Sequence, residues 1–140
     1  MAMANFGGFD AIEALWPDFT DVDWKVVRAR CVDLDGDGQE ELLVETSCCT
    51  VSSPDPWVIL RASSDGNAAT VAYARAGRGF TSVKIQSGSP PTLVEAEQRL
   101  RRTDANCCPS GGRILTYIRW RGTTYTIVKR KRVRGNHSFL

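Results

Sequence analysis

Trp24-Lys25-Val26-Val27-Arg28-Ala29-Arg30-Cys31-Val32, then Asp33-Leu34-Asp35-Gly36-Asp37-Gly38-Gln39-Glu40, then Glu41-Leu42-Leu43-Val44-Glu45-Thr46 form one continuous stretch of the chain. The first run is β-branched and alternates, with Arg28 and Arg30 facing one way. Asp and Gly then crowd a short segment, and both are turn formers. The third run is apolar again. The stretch reads as strand, acidic turn, strand. Cys31 alternates with Val27 and Ala29, which predicts a small hydrophobe on the core face of the first strand.

The same grammar continues outward. Trp57 to Ala62 follows Pro54-Asp55-Pro56 and stops at Ser63-Ser64-Asp65-Gly66-Asn67. Thr70 to Ala74 stops at Gly77-Arg78-Gly79, and Phe80 to Gln86 at Ser87-Gly88-Ser89-Pro90-Pro91. Thr92 to Arg101 fits a helix through Leu93, Val94, Ala96 and Leu100, and fits a strand by alternation. The regular turn spacing decides for strand, with Glu95 and Glu97 on a solvated face. Arg113 to Arg121 and Thr124 to Val133 make a hairpin around Trp120-Arg121-Gly122-Thr123. Ahead of all this, Phe9, Ile12, Leu15 and Trp16 have helical spacing, and Pro17 ends the segment. The expected fold is mainly β (or α+β). It is an antiparallel meander of about seven or eight strands with a short N-terminal helix, forming a curved sheet, a sandwich or a partial barrel. Residues 1–140 read as a single domain, with 1–8 and 135–140 loose.

The chain has 140 residues, 42% of them hydrophobic, which suffices for a core, and a net charge of +2, too small to imply a nucleic-acid partner. No apolar run approaches the roughly 20 residues that span a bilayer. The N-terminus lacks the pattern of a signal peptide, so the protein is either cytoplasmic or has had its signal removed. The five cysteines arbitrate. Cys48-Cys49 and Cys107-Cys108 are vicinal pairs beside turn residues. Structural zinc prefers CxxC spacing, and His137 is the one histidine. The expectation is a disulfide joining one of Cys48/Cys49 to one of Cys107/Cys108, with the connectivity open and Cys31 left free. That places the chain in an oxidising compartment, periplasmic or extracellular. Free buried thiols in a cytosolic core are the alternative.

The acidic turn carries the chemistry. Asp33, Asp35 and Asp37 alternate and can converge on one hard cation; Gly38 allows the bend after them, and the Gln39 carbonyl is then placed to bind. An EF-hand needs a Glu at the twelfth loop position, where this chain has Val44, so that motif is excluded. The arrangement resembles the calcium loops of FG-GAP and VCBS-type β-repeats, in which DxDxDG sits between two strands and a carboxylate follows at the ninth position. The resemblance covers Val26 to Glu45 in a single copy. It implies calcium held by Asp33, Asp35, Asp37, the Gln39 carbonyl and Glu41, with Glu in place of the usual ninth-position Asp. A turn that binds no metal is the competing reading. The chain is also similar to small secreted bacterial proteins, among them LppP/LprE-type lipoproteins, through Cys107-Cys108-Pro109-Ser110-Gly111 and Tyr117-Ile118-Arg119-Trp120. The lipidated cysteine of that family has no counterpart here. This second resemblance implies secretion and a non-enzymatic role.

Lys129-Arg130-Lys131-Arg132-Val133-Arg134 can bind an acidic surface, but on a terminal edge strand such residues block edge-to-edge pairing, so a nucleic-acid partner is not expected. Ser52, Ser53 and Ser110 lack a GxSxG frame, and no thiol has a visible base. Glu95 and Glu97 are weighed as a glycosidase-like pair and assigned to the strand face instead. The expected function is a secreted or periplasmic, non-enzymatic binding module with a calcium loop. It would serve as an inhibitor or envelope accessory whose partner is an unknown protein or cell-envelope component. The alternative is a cytosolic nucleic-acid or protein-binding module using the basic hairpin.

Overall fold

The computed structural model describes residues 25–47, 55–63, 69–76, 80–99, 101–104 and 110–134. The segment Phe9–Trp16 and the four cysteines Cys48, Cys49, Cys107 and Cys108 lie outside them. Among the described residues all regular structure is strand: β1 (Lys25–Val32), β2 (Glu41–Ser47), β3 (Pro56–Ala62), β4 (Ala69–Ala76), β5 (Thr81–Gln86), β6 (Thr92–Gln98), β7 (Arg113–Trp120) and β8 (Tyr125–Val133). Within the segment 92–101, compatible with helix or strand in sequence, Thr92–Gln98 is strand. Every pairing is antiparallel and joins consecutive strands, giving two open four-stranded meanders, β1-β2-β3-β4 and β5-β6-β7-β8. Of the expected forms this is the two-sheet one.

The sheets meet through one apolar cluster. Leu43, Trp57 and Ile59 come from the first sheet; Val83, Leu93 and Ile118 come from the second. β2 and β3 are buried on both faces, because Leu42, Val44, Val58 and Leu60 form a further cluster behind the first. That explains why their sequences are apolar runs rather than alternations. The basic β8 is an edge strand, as expected, and Lys129 to Arg132 are all exposed along it.

Two expectations are overturned. Cys31 is an exposed free thiol and Val27 is 67% exposed. β1 is an edge strand, and its register shifts between Val26 and Arg28. The bulge takes Val27 out of the alternation, leaving Val26 and Ala29 to pack inward. Glu95 and Glu97 are the second correction. They are 1% and 9% exposed, because the Leu93 side of β6 faces the other sheet.

Burial of those carboxylates is compensated across the sheets. Trp57 Nε1 donates to Glu95 Oε2 at 2.6 Å. Arg75 forks onto both oxygens, Nε to Oε2 at 2.8 Å and Nη2 to Oε1 at 3.0 Å. A second junction involves the free edge of β5. The Val83 N–H donates to Glu45 Oε1 at 2.7 Å, and Arg30 Nη2 donates to the Val83 carbonyl at 2.8 Å. Arg30 also pairs with Glu45 at 3.0 Å. Side chains of the first sheet thus occupy the edge groups of the second, which would otherwise be unpaired.

Replacing Glu95 by Ala strands the Trp57 indole and the Arg75 guanidinium, and breaking one partner of such a buried pair costs about 3–5 kcal/mol. Urea denaturation of Glu95→Ala should show a loss of that size. A loss under about 1 kcal/mol would show that the carboxylate does not join the sheets.

Candidate metal centre

Pairing of Val32 with Glu41 brings the end of β1 beside the start of β2, and the acidic turn closes between them. Leu34 is 1% exposed and packs into the inter-sheet cluster, so it anchors the turn from inside. Gly36 and Gly38 hold φ of 77° and 90°, a left-handed backbone that other residues adopt at a cost.

This backbone aims its N–H groups at the turn's own carboxylates. Gly36 and Gly38 donate to the two oxygens of Asp33, each at 2.9 Å. Asp37 donates to Asp35 Oδ1 at 3.1 Å, and Gln39 to Asp37 Oδ1 at 2.8 Å. Leu34 donates to Glu41 Oε2 at 2.6 Å, so the longer ninth-position arm is seated on buried backbone. Each carboxylate is therefore oriented before any ligand arrives, and each bonded oxygen keeps a lone pair.

The result is a dense negative site. One ligand oxygen each from Asp33, Asp35, Asp37 and Glu41 lies within 4.8 Å of the others. Burial pushes the Glu41 carboxyl up to about 7, with Asp35 and Asp37 adding to the rise against the Leu34 N–H. Asp37 is held below its ordinary value, first by the Gln39 N–H and then by its contact with Asp35. Among the described residues, the cation paired to the turn is Arg61, reaching from β3 to Asp35 Oδ2 at 2.9 Å. Its guanidinium also lies 5.5 Å over the Trp120 ring.

These four side chains could hold a metal ion. Four of the five sequence-predicted ligand residues are thus brought together. Gln39 lies in the same turn, with its N–H committed to Asp37. Arg61 and Tyr125, whose charge and hydroxyl bear on Asp35 and Glu41, were invisible to motif reading because they come from distant strands.

Compared with protein-family models, with curated proteins and with solved structures, the chain matches none.

The metal-free protein should become less stable as pH rises from about 4.5 to about 7. In that window the folded state holds the Glu41 proton that the unfolded chain has released, so rising pH favours unfolding. The loss has an upper bound of about 3 kcal/mol. Glu41→Gln, which keeps an acceptor for Leu34, should flatten that part of the stability–pH profile measured with chelator present. An unchanged slope in Glu41→Gln would overturn the assignment.

Proposed function

We propose that this chain is a non-enzymatic binding module of the periplasm or the extracellular space whose β1–β2 turn takes a calcium ion. The convergence of Asp33, Asp35, Asp37 and Glu41 within 4.8 Å is the observation that carries the reading. The turn has the oxygen-only donor set that calcium prefers. The resemblance to FG-GAP and VCBS loops supports the same ion, with the Gln39 carbonyl as a fifth ligand. The extracytoplasmic placement rests on the vicinal pairs Cys48-Cys49 and Cys107-Cys108 and a disulfide between them.

Support for a binding role over catalysis comes from the one carboxylate pair weighed as catalytic. Glu95 is 1% exposed and committed to Trp57 and Arg75, and Glu97 pairs with Arg99 at 3.0 Å. Glu95 serves the packing of the sheets, and Glu97 is held by its own near neighbour. Among the described residues no helix is long and apolar enough to cross a membrane.

A second reading, a nucleic-acid or protein-binding module using the C-terminal hairpin, is favoured by the exposed row Lys129 to Arg132 on an open sheet edge. It requires binding to an anionic polymer that weakens steeply with salt.

Calcium should raise the thermal midpoint and chelator should lower it. Binding to the native state alone stabilises by about 2.7 kcal/mol at a hundredfold excess over the dissociation constant. Magnesium should do less. Asp37→Asn should remove the calcium response and leave the fold intact. Asp37 is the cleaner probe because it is exposed, whereas Asp35 also anchors Arg61. Identical melting of wild type and Asp37→Asn with calcium and with chelator would reduce the loop to a turn.

A further inference from the structure

Resting on the reading of the β1–β2 turn as a cation site, we propose that the site is completed from the second sheet. The Tyr125 hydroxyl joins the hydrogen-bonded shell of the ion, so that a filled loop also fastens the start of β8 to the first sheet.

Tyr125 opens β8, opposite Trp120 in register. Its ring belongs to the same buried cluster as Leu34, the residue that anchors the acidic turn. Its Oη atom is buried beside the Arg61 guanidinium, with no partner in good hydrogen-bond geometry among the described residues, and the residue is 5% exposed. A buried hydroxyl without a partner is unfavourable, and phenylalanine would fill an apolar site of that shape without the penalty.

The surroundings say what the hydroxyl faces. Trp120 meets Tyr125 edge-on with ring centroids 4.9 Å apart. Arg61 sits over Trp120 and pairs with Asp35. Asp35, Arg61, Trp120 and Tyr125 therefore form one contiguous chain of contacts from the turn to β8. Burial raises the phenol's pKa, the charges of Glu41 and Asp35 add to the rise, and Arg61 opposes it, so the hydroxyl lies within the field of the cluster.

A neutral phenol complements a loaded site in both directions. The turn offers four carboxylates, with the Gln39 carbonyl the fifth ligand of the proposed site, while calcium takes six to eight oxygens. Water fills the remainder of such a shell. A metal-bound water is a strong donor, and the phenol oxygen can accept from it. The phenol proton is at the same time available to a carboxylate oxygen of the cluster. Groups that hydrogen-bond the shell of a metal, rather than the metal itself, typically contribute 10–100-fold to affinity.

The test titrates calcium chloride into the full chain by calorimetry, comparing wild type with Tyr125→Phe and Tyr73→Phe. Tyr73 packs against Tyr125 with centroids 5.7 Å apart, and it controls for a general loosening of the aromatic core. Tyr125→Phe should bind calcium at least about tenfold more weakly, with an unchanged or higher melting temperature in chelator. Tyr73→Phe should bind as wild type does. Calcium should slow amide exchange at 125–128 as well as at 33–41 in wild type, and at 33–41 alone in Tyr125→Phe. Equal affinity of Tyr125→Phe and wild type, or equal weakening by Tyr73→Phe, overturns this inference and leaves the calcium loop standing. Failure of the wild-type chain to bind calcium overturns both together.

Discussion

Glu95 accepts three hydrogen bonds while almost completely withdrawn from water: one from the Trp57 indole and two from the Arg75 guanidinium. A carboxylate in that position is tolerable only when the opposite sheet supplies all of those donors. The apolar contacts between the sheets are non-directional and would accept several alignments. The donors on β3 and β4 accept one. Glu45 imposes a matching condition elsewhere by taking the Val83 N–H, with Arg30 closing on the carbonyl. Hydrophobic burial drives the sheets together, and these two carboxylates choose how they meet.

The acidic turn depends on that choice. Leu34 can anchor the turn only because the cluster it enters is built from both sheets. Arg61 reaches Asp35 from β3 and Trp120 from β7, so it too needs both. Within the turn, left-handed glycines and short backbone-to-carboxylate bonds hold the acids in place. Repulsion among them is expressed as the raised pKa of Glu41 and relieved in part by one arginine. A divalent cation would relieve it further.

The open edges of the two sheets are managed differently. β5 has its outward N–H and carbonyl groups at Val83 occupied by side chains of the first sheet, which turns an edge into a junction. β8 carries Lys129, Arg130, Lys131 and Arg132 exposed along its length, with Lys129 lying 5.4 Å over the Tyr117 ring. Charge on an edge discourages pairing with another strand.

Strand identity was almost entirely legible in the sequence, because turn chemistry is local. Gly, Pro, Asp and Ser clusters marked the strand ends, and even the ambiguous 92–101 segment was assigned from turn spacing. The carboxylates of the candidate metal centre were legible too, since Asp33, Asp35, Asp37 and Glu41 are close in the chain and need only one turn to converge. Facing was not legible wherever alternation failed to distinguish two polar environments. Glu95 looks the same in sequence whether it meets water or Arg75, and Val27 looks like a core residue until a bulge removes it from the pattern. Arg61 and Tyr125 carry no local signal because their importance lies in what the other strands bring beside them. The sequence by itself determined the elements and the acid cluster, both products of short-range chain geometry. Only the packing of one sheet on the other decided which charges are buried, which partners neutralise them and which distant side chains face the turn, since those depend on contacts between residues far apart in the chain.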